Sequence, residues 1–282
     1  KIIADRNGSG NGAIGAFINY GVVDITAGSE INVEKETGNN ANEKAVGVYA
    51  VNGSIVKNAG NINVGGNQSV GILGLAKRDG HENEFGKQLD QGKITIKNSK
   101  NITMSGDNAV GIFANNNNNS AASNHIVENT TNGLITVGNS TGGKTAVGIY
   151  ANKVTVKPKG GKIKIGKSSV GIYANNSSVV GEVGKDLGTV DYIGESGIGI
   201  YVKGASQLNG TKLTLAQSTT GTIKGKVGLL FDTVADTITT VKVDTGSVND
   251  VTAYYTANKK LTVKSDLTLN KNSTGISAKG EQ

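Results

Sequence analysis

The sequence predicts an all-β fold, a right-handed parallel β-helix (β-solenoid) of about ten coils with two or three loop insertions. Three observations support this prediction. One short apolar phrase recurs along the whole chain, short alternating runs lie between its copies, and no window places apolar residues at helical spacing. The chain also has 42 Gly in 282 residues, which weaken helices, among many Val, Ile and Thr, which favour strands.

The recurring phrase reads Ser-Val-Gly-Ile-Tyr-Ala at 169–174. The central position of one copy lies 23 residues from the next at the closest, as from 148 to 171, and 40 residues at the furthest, as from 71 to 111. A fixed minimum with longer exceptions is typical of coils of constant circumference that carry surface insertions. Close copies lie at 45–50, 69–74, 109–114, 146–151 and 197–202, and looser copies surround Gly15, Gly228, Thr252 and Gly275.

Between these copies lie short runs that alternate apolar and polar residues, such as Ile62-Asn63-Val64 and Ile135-Thr136-Val137. This period of two is typical of a strand with one buried face. Parallel strands usually need a crossover helix, and no such helix is evident here. A solenoid, in which each strand pairs with its equivalent one coil later, removes that need. Ten coils at about 4.8 Å each would form a rod roughly 45–50 Å long.

Regular alternation assigns the residues of the phrase to two faces. It predicts that the Val, Ile and Ala side chains point into the bore and that the Gly and Tyr positions point outwards. Two aliphatic columns would then fill the interior: first Ile14, Val46, Val70, Val110, Val147, Val170, Ile198, Val227 and Val251, and second Ala16, Val48, Ile72, Ile112, Ile149, Ile172, Ile200, Leu229 and Ala253. The outward column would contain Phe17, Tyr49, Leu73, Phe113, Tyr150, Tyr173, Tyr201, Leu230 and Tyr254.

The outward aromatic column is the candidate ligand-binding surface. Exposed rings could stack on sugar faces while their phenol groups bond sugar hydroxyls. The alternative is that the rings stack on one another and stiffen the rod, or that another segment covers them. The candidate residues are Tyr49, Phe113, Tyr150, Tyr173 and Tyr201, and an amide ladder is expected beside them at Asn52, Asn115, Asn152 and Asn175.

Two insertions account for the longest steps between copies. The first, 77–91, is charged and contains His81, and the second, 115–132, carries five consecutive Asn and contains His125. A milder excursion lies at 181–193. Residues 1–282 are otherwise predicted to form a single β-helical segment, and because Lys1 starts as if in mid-strand, we expect an internal piece of a longer chain.

Composition narrows the classes of partner. The net charge is +7 from 29 Lys and Arg against 22 Asp and Glu, but only Arg6 and Arg78 are Arg. Nucleic-acid recognition relies on the bidentate geometry of Arg, so no nucleic-acid partner is predicted. The chain has no Cys, and its two His lack the spacing of metal ligands, so neither a metal nor a cofactor is predicted.

Three short motifs match catalytic or nucleotide-binding patterns. The stretch 138–145 fits the phosphate-binding P-loop, and 10–15 fits G-x-G-x-x-G, but both lead into repeat strands where those sites need a helix. The triplet Asp244-Thr245-Gly246 has no second copy to supply the paired carboxylates of an aspartic protease. These motifs are interpreted as turns, and the chain is predicted not to be an enzyme.

The repeated Ala/Ser-Val-Gly-Ile-Tyr-Ala strands, with Gly-rich turns and Gly-x-Ile-x-Val runs between them, resemble passenger domains of type V autotransporters. The resemblance is to the large outer-membrane adhesins of fusobacteria and covers about residues 12–278. It implies display at the cell surface, anchoring through an outer-membrane β-barrel outside this sequence, and adhesion to a protein or glycan of host cells or other bacteria. It transfers no individual binding residue.

Two alternative functions remain at this point. Some parallel β-helices are carbohydrate-active enzymes, which collect acidic and basic residues on neighbouring coils, whereas the acidic residues here are scattered. A vacuolating toxin passenger would share the β-helical repeats and would differ in forming oligomers that permeabilise membranes.

Overall fold

A computed structural model of the chain describes residues 1–4, 13–33, 44–77, 92–118 and 120–279. These residues form a right-handed parallel β-helix, which confirms the predicted fold class. The helical element of this described part is a three-residue 3-10 turn, Ala122–Asn124. No helix within the same ranges has the length and apolarity needed to cross a membrane.

Three long sheets form the faces of the solenoid, and a short fourth sheet follows the smallest of them. The ten-stranded sheet contains the copies of the recurring phrase: Ile14–Asn19, Val46–Val51, Val70–Leu75, Val110–Asn115, Val147–Asn152, Val170–Asn175, Ile198–Gly204, Lys226–Thr233, Val251–Thr256 and Thr274–Ala278. The nine-stranded sheet contains Ile2–Ala4, Glu30–Val33, Asn61–Val64, Asn101–Met104, Leu134–Val137, Lys162–Ile165, Thr189–Tyr192, Lys212–Ala216 and Lys242–Asp244. The seven-stranded sheet contains Val22–Ile25, Ile55–Asn58, Thr95–Asn98, Ile126–Asn129, Thr155–Lys157, Val179–Val180 and Gln207–Leu208, and the two-stranded sheet contains Thr237–Thr239 and Leu261–Val263.

One coil illustrates the path of the chain. Val147–Asn152 lies in the ten-stranded sheet, Thr155–Lys157 in the seven-stranded sheet and Lys162–Ile165 in the nine-stranded sheet, before Val170–Asn175 returns to the first face. The pairing is parallel and places Ile on Ile, Tyr on Tyr and Ala on Ala, as in Tyr150 opposite Tyr173. Equivalent side chains are therefore stacked coil upon coil along the rod.

The predicted faces of the recurring phrase are wrong in one respect, because the first aliphatic column is not in the bore. Gly47 faces inwards: a Cβ there would lie 2.7 Å from Ile62 Cγ2 in the nine-stranded sheet and 2.5 Å from the Gly71 oxygen. The following Val48 is also fully buried in the core, so alternation breaks at the glycine. Val46, which precedes the glycine, is therefore on the outer face and is half-buried.

The same arrangement recurs in coil after coil. Pairing registers step from Val147 opposite Val170 to Ile149 opposite Ile172 and pass over the intervening glycines. The first aliphatic column thus forms an outer row, in which Ile14 is 45% exposed. The second column occupies the bore as predicted from Val48 to Leu229.

The copy of the phrase in the strand Val251–Thr256 is displaced by one residue from the prediction. Tyr254 pairs with Leu229 and is fully buried, while Tyr255 pairs with Leu230 in the outer row. The Tyr254 hydroxyl donates to the Val241 oxygen at 2.8 Å, which satisfies its polar group inside the bore. Val251 and Ala253 shift with it, since Val251 pairs with Lys226 and not with Val227. The small residue Ala253, not Thr252, is thus the counterpart of Gly228.

The corners before several strands of the ten-stranded sheet show the same register. A residue in the left-handed region lies two positions before the outer-row residue, as Ser168 (φ 53°) lies before Val170. Asp250 (φ 54°) occupies this corner before Thr252, and Asn272 (φ 56°) does so before Thr274. Short polar residues tolerate this conformation better than β-branched ones, so the corner selects them.

The predicted insertions are only partly described. Apart from Lys77, the insertion 77–91, including His81, lies outside the described residues. The insertion 115–132 is shorter than predicted, because Asn115 ends a strand of the ten-stranded sheet and Ile126–Asn129 is a regular strand of the seven-stranded sheet. What departs from the regular coil is the loop that contains the 3-10 turn.

Replacing an inward glycine should destabilise the rod. A Cβ at Gly148 would lie 2.6 Å from the Gly171 backbone oxygen, which cannot move without breaking the ladder. We expect Gly148→Ala to lower the free energy of unfolding by about 1–3 kcal/mol in urea titrations. Gly21→Ala is the matched control, because its Cβ would meet only Ile18 Cγ2 at an ordinary 3.4 Å. Equal losses for both variants would contradict the inward placement of Gly148.

Candidate functional site: the outer face of the ten-stranded sheet

The candidate surface consists of two parallel rows on the outer face of the ten-stranded sheet. The aliphatic row includes Val46, Val110 and Val170, and the aromatic row lies three residues further along each strand. Both rows point outwards because the glycine between them breaks the strict alternation of the strand. The five candidate residues all lie in the aromatic row and are all half-buried: Tyr49, Phe113, Tyr150, Tyr173 and Tyr201.

The rings of the aromatic row pack against one another. Phe113 and Tyr150 are stacked with ring centroids 4.7 Å apart and planes 8° from parallel, and Tyr150 and Tyr173 are stacked at 5.4 Å and 13°. Tyr173 and Tyr201 meet edge to face at 4.8 Å, and Phe17 and Tyr49 do so at 5.4 Å. These separations are close to the rise of one coil, so the solenoid itself sets the ring spacing.

Stacking leaves the middle rings without a free face. Tyr150 lies between Phe113 and Tyr173, so both of its faces contact other rings. A sugar that needs a flat aromatic surface has little access to it. What the row can offer a partner is ring edges and phenol hydroxyls, flanked by an aliphatic row that is half-buried at Val46 and Val110 and buried at Val170. The geometry thus favours hydrogen bonding and edge contact over sugar stacking.

Tyr201 differs from the other tyrosines of the row because it binds a carboxylate. Its hydroxyl donates to Asp232 Oδ2 at 2.9 Å, and Asn258 Nδ2 also donates to Asp232. Burial and the neighbouring Asp232 charge raise the pKa of the Tyr201 phenol well above its usual value. This cluster ties the aromatic row to the next two coils and leaves the Asp232 carboxylate engaged.

The predicted outer amide ladder is present only in two separate parts, and Asn176 takes the place of Asn175. Asn152 Nδ2 donates to Asn115 Oδ1 at 2.7 Å, and Asn176, not Asn175, donates to Asn152 at the same distance. Asn52 donates to Asn19 at 2.8 Å in the first coils. Asn176 has φ 49°, so the corner turns its amide, rather than that of Asn175, onto the ladder.

A second amide ladder was not predicted from the sequence. Asn58 Nδ2 donates to Asn98 Oδ1 at 2.8 Å, and Asn98 donates to Asn129 at 2.9 Å. All three side chains are at most 1% exposed. The signal was available, because each Asn ends a strand of the seven-stranded sheet four or six residues before the next apolar-polar-apolar run begins. Such buried polar groups are stable only while each one keeps its partners.

Several charged side chains of the other two faces form ion pairs. Lys157 pairs with Glu182 at 2.9 Å, and Lys159 pairs with Glu128 at 2.6 Å. Among the described residues, no group of three His, Asp or Glu could hold a metal ion. These pairs bridge neighbouring coils, and exposed pairs of this kind contribute only modestly to stability.

Asp191 also forms an ion pair, but its side chain, unlike those of the pairs above, is fully buried. Lys162 Nζ lies 2.8 Å from Oδ2, and the Ser218 backbone N–H donates to Oδ1 at 2.8 Å. Burial opposes ionisation, but the hydrogen bonds from Lys162 and Ser218 outweigh it and hold the pKa of Asp191 below its usual value. This carboxylate fastens the loop that follows the Lys212–Ala216 strand.

The loop of the second insertion contains a buried histidine. The Ile94 N–H donates to His125 Nδ1 at 3.2 Å, and Ser120 Oγ lies 2.6 Å from His125 Nε2. Because Nδ1 accepts, the proton of the neutral ring is on Nε2. Burial, with a smaller effect of the Lys93 charge, lowers the pKa of His125. Both ring nitrogens are engaged in fixing the loop, which gives this residue a structural role.

The stretch 138–145, which fits the P-loop pattern, is a turn in the structure. Gly142 and Gly143 have positive φ angles of 60° and 72°, and the chain continues into the strand Val147–Asn152. The Lys144 ammonium donates to Gln68 Oε1 at 2.8 Å. The helix N-terminus that would hold a phosphate is replaced here by a strand.

Comparison with known proteins adds no family assignment. No protein-family model, no curated protein and no solved structure matches this chain.

Removing the central amide of the buried ladder should cost more than removing an outer one. In Asn98→Ala, Asn58 and Asn129 lose their partner inside the core, and a buried unpaired group costs about 1–3 kcal/mol. Urea titration measures this loss. Asn176→Gly, which removes an exposed amide of the outer ladder and keeps the left-handed backbone conformation, is the control and should change stability by about 0.5 kcal/mol or less. A loss in the control as large as in Asn98→Ala would refute this role of the buried ladder.

Mild acid should weaken the fold through His125. Its pKa is lowered in the folded chain, so the unfolded chain takes up the proton first as the pH falls below about 6.5. The free energy of unfolding should therefore decrease from neutral pH until the folded pKa is passed. Comparing denaturant titrations of the native chain and His125→Gln across this window isolates the effect. A native chain whose stability has the same pH dependence as the variant would contradict it.

Proposed function

We propose that this chain is a rigid, non-enzymatic segment of a surface-displayed adhesin, of the autotransporter passenger type that its repeats resemble. The observation that supports this proposal best is the continuous stacking of equivalent residues through ten strands of one sheet. A solenoid of this kind is stiff along its axis and offers a long lateral surface. Such a segment can hold a contact surface away from a membrane and present it to another cell.

The partner that we propose is a protein or glycan on the surface of a host cell or another bacterium. The proposed contact surface is the aromatic row with its flanking aliphatic row. Phenol hydroxyls at Tyr49, Tyr150 and Tyr173 stand one coil or a few coils apart and can bond a repeating partner. The excess of Lys would add a weak, salt-dependent attraction to anionic surfaces.

The experiment separates a binding role from a structural role of the rings. The purified segment is screened for binding to a glycan array, host epithelial cells and other bacteria. In Tyr150→Phe/Tyr173→Phe the stacked rings remain and only the hydroxyls are lost. We expect this variant to keep its unfolding midpoint and to lose binding about tenfold, equivalent to one good hydrogen bond.

The complementary variant is Tyr150→Ala/Tyr173→Ala, which should lose both stability and binding because each ring contacts two others. Undiminished binding by the Phe variant would move the contact surface away from the aromatic row. A native segment that binds no cell and no glycan would leave a spacer and overturn the adhesive half of the proposal.

A further inference from the structure

One face of the solenoid is interrupted between two neighbouring coils. The seven-stranded sheet ends at Gln207–Leu208, and the strand of the next coil, Thr237–Thr239, pairs only with Leu261–Val263. On the other two faces the same two coils remain paired, since Ile198–Gly204 pairs with Lys226–Thr233 and Lys212–Ala216 pairs with Lys242–Asp244. The break is therefore a local opening in one wall.

The two stretches that border the opening differ in length. The two coils are pinned at Gly204 opposite Thr233 and at Lys212 opposite Lys242. Between these pins the first coil advances eight residues and the second nine, by subtraction of these residue numbers. A shift of one residue turns every side chain of a strand to the other face, and pairing continued from either pin alone would give a different register.

The two strands that border the opening, Gln207–Leu208 and Thr237–Thr239, form its lips, and both present backbone groups to it. On one lip, the N–H groups of Gln207 and Asn209 donate to the preceding coil at 2.8 Å, which turns the Leu208 N–H and C=O towards the opening. On the other lip, the Thr237 N–H donates to the following coil and the Thr239 oxygen accepts from it, which turns the Ile238 N–H and C=O towards the opening.

The space between the lips is a cleft of about 450 Å³ with an apolar floor. Val202 and Phe231 form the buried floor, and Leu208, only partly covered, packs against the core beneath the lip. At the mouth, Val234 is 68% exposed and Ile238 63% exposed. Most other exposed large apolar side chains of the described ranges lie in the two end coils, so this apolar mouth is unusual within the rod.

We propose that this cleft binds an extended peptide segment of a partner protein, which inserts as a parallel strand between Gln207–Leu208 and Thr237–Thr239. Neighbouring strands are about 4.8 Å apart, so one inserted strand joins the seven-stranded and two-stranded sheets into a single sheet. Its backbone bonds Leu208 on one side and Ile238 on the other. Its inward side chain is apolar and covers Leu208 and Phe231, and its outward side chains are polar.

The test uses a fluorescein-labelled peptide with the sequence of residues 92–99, Gly-Lys-Ile-Thr-Ile-Lys-Asn-Ser. In the solenoid this segment already forms a strand of the same face with Ile94 and Ile96 turned inwards. Its lysines keep it soluble, and a basic peptide gains nothing from non-specific attraction to a protein of net charge +7. Fluorescence anisotropy should show saturable binding to the intact chain, and the same peptide with Pro in place of the Thr should not bind.

Two variants obstruct the cleft by different means. Ile238→Pro removes the N–H that faces the opening and keeps the Thr237 and Thr239 bonds to the following coil. Ala205→Trp places a large side chain at the exposed rim of the cleft and leaves every backbone group intact. Each variant should weaken peptide binding about tenfold or more, equivalent to about 1.4 kcal/mol. Val183→Trp, at an exposed position outside the cleft lining, is the control and should bind as the native chain does.

Hydrogen exchange provides the second measurement. Addition of the peptide should slow exchange of the Leu208 and Ile238 amides and leave the aromatic-row amides unchanged. Circular dichroism establishes that each variant folds, and if Ile238→Pro does not, Ala205→Trp alone decides. Absence of saturable peptide binding to the native chain, or binding that survives the obstructing variants, would overturn the proposal. Neither result bears on adhesion through the aromatic row, which the Tyr→Phe variants test separately.

Discussion

The narrowness of the bore is the constraint on which the rest of the solenoid depends. A Cβ on Gly47 would overlap Ile62 Cγ2 of the facing sheet, and the same overlap would occur between Gly71 and Ile102. Two sheets that approach so closely leave room for a branched side chain on one side only. The glycine of the recurring phrase is thus required by the isoleucine of the next sheet. It also turns the preceding valine outwards, which creates the two outer rows.

Stacking of like on like has opposite consequences for different side chains. Stacking is favourable for aromatic rings, as for Phe113, Tyr150 and Tyr173. It is also favourable for amides, because each amide carries both a hydrogen-bond donor and an acceptor. Like charges that face each other directly repel and destabilise the sheet. Lys57 and Lys97 form such a pair, because they are opposite each other in register. The next position of that row is Glu128, which places an opposite charge beside Lys97. Polar ladders can therefore extend over many coils, while this pair of like charges is flanked by an opposite charge on each side, Asp24 beside Lys57 and Glu128 beside Lys97.

Much of the fold could be predicted because periodicity survives in a single sequence. The spacing of copies from Gly47 to Gly228 located the coils, and the short runs between them located the strands of the other faces. The orientation of Val170 could not be predicted, because strict alternation assumes that both sides of a strand have equal room. Tyr254 was misplaced because Thr252 was aligned by distance along the chain, whereas the interior selects a small residue, Ala253. The buried Asn ladder was missed since polar residues at strand ends usually indicate turns.

A solenoid can build a distinctive site only where its repetition is interrupted. On the regular faces, neighbouring coils already use the backbone groups in hydrogen bonds and cover the ring faces of the aromatic row. Each coil contacts only its neighbours, so an irregularity stays local and does not disturb the ladder several coils away. One wall is open between Thr233 and Lys242, while the other two walls hold the coils together. The irregular wall is thus where backbone groups and apolar surface are both left to a partner, which the regular coils cannot offer.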